Sequence, residues 1–403
     1  MLHSSQSLAE QFRPKLARRS VPIWMDRSTA VECQELNTYF GTRIQCNTGS
    51  PATERFSGPQ IRKFAKEYPE EYAKTARIHL VSSFLCSVLC GKDAPIDFGD
   101  GAGMNLLNLK TLQWDREITE FTAPGLLYKL PGTVPSSTFA GTLDVFFSKF
   151  GFTPGIPVVT WSGDNPNSLI GAGAGESGCA GISLGTSDTF FAPMADFKTD
   201  PAGYGHIFGN PSGGFMSLIC FTNGSLAREE IRKERQVSWE FFDRTACRET
   251  APGNGGRLVL PYFEPENTPL LLEPGIRRNY EQANPAEEIR AVLESQALLL
   301  RLHSEWLNEK FLRIRVIGGG SKSEGFRQIL ADVFQADIET ISAVNSAALG
   351  AAIRAANVVE EIPFEYLYAH FCSAKEIVKP NHENKKLYDE MGECLKDFLE
   401  NNR

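Results

Sequence analysis

Residues 313–317 read Arg-Ile-Arg-Val-Ile, a short strand-like run, and the chain then passes through three consecutive glycines, Gly318, Gly319 and Gly320. A helical pattern follows over 323–334, then a second short strand over 336–341 and a helix of small residues over 345–356. An ordinary turn between strand and helix accounts for one glycine but not for three. Three residues without side chains let a flat base and its ribose lie against the backbone, and a helix N-terminus adds a favourable dipole. Upstream, residues 181–192 (GISLGTSDTFFA) alternate like a strand, break at Gly185-Thr186-Ser187 and resume, which is a hairpin pattern. Its tip offers backbone N–H groups and hydroxyls to phosphate oxygens, although the same pattern also describes a plain tight turn.

The rest of the chain alternates in the same way, so the fold class is α/β. Helices are expected at 64–72, 138–150, Ser225–Glu234, 239–247 and 285–308. The nearly all-apolar stretch 78–89 is expected as a helix buried between layers. Residues 97–103 form a turn-rich loop, and 388–399 an amphipathic tail. The buried strand 156–161 (IPVVTW) runs into Ser162-Gly163-Asp164-Asn165-Pro166. A carboxylate at the end of such a strand stands at the mouth of a cleft, where α/β folds bind ligands. On pattern alone Asp164 and Asn165 serve equally as caps for the next helix.

Composition removes other classes. A chain of 403 residues that is 42% hydrophobic can bury enough core for two domains. Its net charge of −8, with no long basic run, argues against nucleic acid or anionic membrane as the main partner. No apolar run is long enough to span a bilayer, and residues 1–20 hold no secretory apolar core. Nine cysteines without a CxxC fit a reducing cytoplasm, with Cys86 and Cys90 as buried thiols one helical turn apart. The six histidines form no HxxxH or HExxH, which disfavours a zinc enzyme, and no metal-ligating residues are assigned. No GxSxG is present for a serine hydrolase. Gly318–Ser323 lacks the Gly-Lys-Ser/Thr ending of a phosphate loop, and the GxGxxG match at 173–178 leads into a strand instead of a helix.

Taken in order, SGDNP (162–166), GISLGTSDT (181–189), VIGGGSKSEGFRQILADVF (316–334) and NSAALGAAIRA (345–355) resemble the C-terminal half of the FGGY carbohydrate kinases, relatives of actin and hexokinase. The segments 21–36, 54–64, 96–107 and 208–234 resemble the eukaryotic members of that family that act on D-xylulose, and the resemblance runs from about residue 8 to residue 357. It implies two actin-like (ribonuclease H-like) ATPase domains with a cleft between them, 1–170 on the sugar side and 171–403 on the nucleotide side. It implies ATP-dependent phosphorylation of D-xylulose to D-xylulose 5-phosphate, with ATP and Mg2+ required. Asp164 matches the catalytic base. Arg55 and Asn165, with Asp164, match sugar-binding positions, although Arg55 alone also reads as a surface ion pair. Gly185 and Thr186 match the phosphate hairpin, and Trp239, Gly319, Gly320 and Ser323 match nucleotide contacts. Asp26 and Glu54 are left as structural neighbours.

The sequence departs from the family in one respect. The Asp-x-Gly-Thr hairpin that organises magnesium, and a His-containing sugar loop, have no counterpart here. The first domain is therefore expected to lack its leading strands, on the order of a hundred residues. Two readings follow: a D-xylulose kinase, or a catalytically inactive kinase-like chain that binds sugar or nucleotide. An actin-like or chaperone ATPase is disfavoured, because SGDNP has no role there.

Overall fold

The computed structural model describes residues 2–3, 5–341 and 345–402. The N-terminal part is mainly helical: α1 (Ala30–Phe40), α2 (Ser57–Glu67), α3 (Val81–Cys90) and α4 (Asp164–Gly171). Between them lie three two-stranded ribbons, Ile96–Asp97 with Thr133–Val134, Leu107–Asn108 with Gln113–Trp114, and Phe139–Thr142 with Pro157–Val159. Its core gathers Leu36, Phe40, Ile44, Ile61, Phe64 and Leu106.

Three expectations here need correction. The stretch 138–150 is a strand followed by a 3-10 turn, because Gly141 weakens a helix and Asp144 caps a new start at Phe146 N–H. The helix expected at 64–72 breaks at Tyr68, since Pro69 cannot donate into a continuing helix. Helix α3 is buried on one face only: Ser83, Cys86 and Cys90 turn inward, whereas Val81 is 66% exposed.

The C-terminal part is built on a seven-stranded mixed sheet. Its strands are β1 (Cys179–Leu184), β2 (Asp188–Met194), β3 (His206–Gly209), β4 (Phe215–Phe221), β5 (Arg313–Ile317), β6 (Asp337–Ile341) and β7 (Ala374–Val378). They lie in the order β7-β6-β5-β1-β2-β4-β3, with β6, β5 and β1 parallel and every other pairing antiparallel. The longer helices are α5 (Ser225–Glu234), α6 (Trp239–Arg248), α7 (Pro285–Ser304), α8 (Glu324–Phe334), α9 (Ser346–Glu360) and α10 (Lys385–Glu400), with a shorter one over Phe364–Phe371. Helix α7 starts at a capping box between Asn284 and Glu287 with Pro285 at its first position. It buries Ile289, Val292, Leu293 and Leu300 together with Phe190, Phe326 and Leu330 in the main core. Glu294, fully buried on the same helix, is met at Oε1 by Arg290 Nε at 2.7 Å, Tyr388 Oη at 2.8 Å and Gly253 N at 2.9 Å, while its Oε2 has no hydrogen-bond partner among the described residues. Among the described residues no helix is long and apolar enough to cross a membrane.

The two parts meet along two seams. Strand β3 leans on the loop after residue 48: Ile207 N donates to Gly49 O at 3.2 Å, and His206 Nδ1 lies 3.0 Å from Ser50 Oγ. Helices α4 and α9 cross backbone to backbone. A Cβ on Gly171 would lie 1.8 Å from Ser346 O, and one on Gly350 would lie 1.8 Å from Asn167 O. Only glycine fits at either point. We expect Gly350→Ala to cost about 3 kcal/mol, because the obstacle is a backbone oxygen that cannot rotate away. Gly319→Ala, with nothing within 4 Å of the added carbon, should cost under about 0.5 kcal/mol. Urea unfolding of the two variants checks the contrast.

Candidate active site

The glycine turn and the hairpin lie side by side because they leave neighbouring parallel strands at the same end. Ile317 of β5 pairs with Ser183 of β1, and the chain turns just beyond each. Gly318 has φ 88°, and a Cβ there would lie 2.6 Å from Leu184 O, so the turn is pressed against the root of the hairpin. Gly319 is exposed with open space where a side chain would be, and Gly320 packs on Leu184. This is the flat, side-chain-free surface that the three glycines imply.

The hairpin tip is exposed at Thr186 and Ser187 and braced from behind. Ser225 N donates to Gly185 O at 2.8 Å, and Leu226 N to Thr186 O at 3.4 Å. Arg228 forks onto Asp188 at 2.7 and 2.9 Å, both side chains being buried, and also donates to Gln296 and Ser225. Asp188 is thus committed to holding the tip. Ser323 caps α8, its Oγ accepting from Phe326 N at 3.3 Å, and the 3-10 turn Gly319–Lys322 precedes it, so the helix starts one residue later than the sequence pattern implies. Trp239 opens α6, which packs on α8, and is 45% exposed with the Arg232 guanidinium 5.3 Å from its ring.

On the other side, Asp164 and Asn165 are the first residues of α4, and both are exposed. Gly163 takes the cap position, and no side chain makes a capping bond, so the Asp164 carboxylate is not spent on the helix. Arg55 is partly exposed, 6.0 Å from the Trp24 ring, and among the described residues it makes no ion pair, which leaves the surface-pair alternative without support. Its charge, after burial, holds His206 down at about 4, so that ring is neutral. Burial pushes the Cys220 thiol up; Arg55 pulls it down and Asp164 pushes it further up. Cys220 pairs with Thr189 just above the hairpin, so both charges stand within electrostatic reach of the hairpin. Asp26, left as structural, accepts from Ser28 N and Gln60 Nε2 at 2.8 and 3.1 Å, and hydrogen bonds, chiefly from Ser28, hold its carboxyl down at about 2. The Glu54 carbonyl accepts from Thr29 Oγ1 at 2.6 Å.

Sequence reasoning passed over two further carboxylates, Asp97 and Asp100. Asp97 is fully buried and accepts from Asp100 N at 2.8 Å and Ser136 Oγ at 2.5 Å. Asp100 accepts from Ser82 Oγ and lies against Gly163: a Cβ there would be 2.8 Å from Asp100 Oδ1. The signal was present in the sequence as a glycine on each side of Asp100, which lets the loop pass close to its neighbours. Burial, then Asp97, push the Asp100 carboxyl up to about 7 against the Ser82 hydrogen bond, and Asp164 adds to the rise.

That value fixes a pH dependence. An unfolded aspartate titrates near ~3.9, so the folded chain holds this proton more tightly. The resulting stabilisation is complete below about pH 4 and is lost as pH rises through about 7. Asp100→Asn, which cannot ionise, should therefore melt progressively higher relative to the parent as pH rises across that window. Melting curves from about pH 4 to about pH 8 test this; an offset independent of pH would return Asp100 to the ordinary carboxylate range.

Comparison with known proteins identifies a family. Residues 18–171 match the N-terminal domain of the FGGY family of carbohydrate kinases, and residues 180–358 its C-terminal domain. The xylulose kinase of Mus musculus is 40% identical over 364 residues, covering 86% of this chain and 65% of that protein. Xylulose kinase 2 of Arabidopsis thaliana is 38% identical over 380 residues, covering 88% of this chain and 68% of that protein. The chain thus spans about two thirds of the length of these curated relatives. A ligand-bound xylulose kinase from Lactobacillus acidophilus superposes with a TM-score of 0.84 at 21% identity, covering 93% of this chain and 78% of that one. At that identity the likeness is one of fold, and it makes the α/β, two-domain actin-like architecture the architecture of this chain.

Proposed function

We propose that this chain, which belongs to the FGGY family of carbohydrate kinases, transfers the γ-phosphoryl group of ATP to D-xylulose, giving D-xylulose 5-phosphate and ADP. The observation that carries the proposal is an exposed carboxylate, Asp164, left free at the start of α4, in a chain 40% identical to a xylulose kinase over most of its length. In this reading Asp164 takes the proton from the attacking sugar hydroxyl as the O–P bond forms. Asn165 and Arg55 hold the remaining hydroxyls. Phosphoryl transfer proceeds through a loose transition state, so orientation of the nucleophile and neutralisation of charge supply most of the catalysis.

Residues 1–170 are assigned the sugar side and 171–403 the nucleotide side. The backbone of Gly185 and the hydroxyl of Thr186 face the phosphates. Gly319 and Gly320 receive the base and ribose, Trp239 closes the pocket, and the Ser323 hydroxyl, whose hydrogen is not used by its cap, can donate to the nucleotide. A magnesium ion enters with ATP. Among the described residues no three His, Cys, Asp or Glu side chains converge to hold it, and Asp188 is already taken by Arg228. The described residues do not form a magnesium site of their own, so no step is assigned to the metal.

Asp164→Asn should lower the rate of D-xylulose phosphorylation by about two to four orders of magnitude, the range for loss of a general base. ATP binding, measured by calorimetry, should stay within about twofold, because the carboxylate faces the sugar. Phosphorylated sugar measured directly is the readout, and near-normal turnover would take Asp164 out of the mechanism.

A further inference from the structure

Arg354 belongs to α9, in the sheet-bearing part, yet its guanidinium hydrogen bonds cross to the other part. Nη1 donates to Asn167 Oδ1 at 3.0 Å, and Nη2 donates to the carbonyls of Ser136 and Thr160, both at 2.9 Å. The side chain is 4% exposed, and its Nε has no hydrogen-bond partner among the described residues. None of its three acceptors is a carboxylate. Burial lowers its proton affinity, and Asp97 is the charge that raises it again. Ser136 connects the two, its carbonyl accepting from Arg354 and its hydroxyl donating to Asp97 at 2.5 Å.

This is a costly way to fill space. A buried guanidinium loses several kcal/mol of hydration, and apolar residues of similar volume commonly serve stability as well or better. What a planar fork of donors supplies instead is fixed geometry. The geometry fixed here is specific. Thr160 directly follows the strand, four residues before Asp164, and Asn167 lies one helical turn after it. Asn167 also passes the hold on, its Nδ2 donating to Ser162 O at 3.3 Å. Arg354 therefore grips the strand-to-helix turn on both sides of Asp164. Its own helix follows β6, the neighbour of the strand that ends at Gly318.

We propose that Arg354 is a positioning residue for Asp164 and Asn165, holding the turn that presents them to the sugar from the nucleotide half of the molecule. The proposal rests on the reading of Asp164 as the base. It assigns Arg354 no contact with substrate, and it ties the aim of the base to the placement of α9.

Two variants test it. Arg354→Lys keeps the charge but not the fork, and Asn167→Ala removes one acceptor while leaving Arg354 in place, which carries the test should the lysine variant not fold. In each, amide hydrogen exchange at 163–171 should quicken about tenfold while exchange in α7 is unchanged. The kcat for D-xylulose should fall by about ten- to a hundredfold, the cost of misplacing a reacting group by an ångström. KM for ATP should stay within about twofold. Unchanged exchange at 163–171, or quickened exchange with unchanged kcat, overturns the proposal. Should the parent protein phosphorylate no sugar, the kinase reading fails, and the exchange measurement still decides whether Arg354 holds the turn.

Discussion

Everything at this site depends on a contact in which no side chain takes part. Helices α4 and α9 touch through Gly171 and Gly350, each backbone lying where the other residue's Cβ would be. A wider separation, such as side chains impose, would move Asp164 away from the sheet and carry the acceptors Ser136, Thr160 and Asn167 out of reach of Arg354. Close backbone approach is how two elements from different parts of a chain can be registered to within a fraction of an ångström without a large interface. Once the helices are that close, the hydroxyls of Ser168 and Ser346 also meet, at 3.3 Å. Among the described residues, the buried side-chain polar atoms left without a hydrogen-bond partner at the crossing and the turn before Asp164 are Arg354 Nε and Ser162 Oγ.

The hairpin at Gly185–Ser187 solves a different problem. A hairpin tip is mobile unless something behind it is rigid, and a mobile tip cannot preorganise donors around a transferring group. Here the brace is ionic and buried: Asp188 against Arg228, with Arg228 continued by Gln296, whose amide donates to the carbonyls of Asn223 and Gly224 at 2.8 and 3.0 Å. Gln296 stands on α7, the long helix that supplies much of the main core. The tip is in this way anchored to the buried centre of the fold. The Glu266 carboxylate, accepting from the N–H groups of Thr222, Asn223 and Asn267, fixes the loop beyond β4 in the same manner.

What the sequence made legible follows from range. Gly318–Gly320, the hairpin at Gly185–Ser187 and the strand ending before Asp164 are written in consecutive residues, and each appears in the structure where the pattern put it. The errors come where distant contacts overrule local pattern. Residues 139–142 have the apolar content of a helix, but a partner strand 15 or more residues away claims them. The apolar stretch of α3 reads as buried on all sides, yet Val81 and Leu85 face outward, since composition cannot say how many neighbours a helix has. Arg354 left no local sign, and Asp100 only its flanking glycines, for the same reason. One sits among alanines in a small-residue helix and the other in the short helix Phe98–Gly101, and only the tertiary fold brings both to one strand-to-helix junction.

That junction also explains why acidic residues are tolerated so close together. Asp97, Asp100 and Asp164 would repel one another in water-poor surroundings, and a carboxylate near others holds its proton more tightly. Asp97 is partly answered by the Arg354 guanidinium and by the Ser136 hydroxyl. Asp100, raised to about 7, carries its proton for a large share of the molecules near neutral pH and then adds no charge at all. The guanidinium that grips both sides of the junction thus also supplies a countercharge to Asp97, and one buried cation at a glycine crossing serves both purposes.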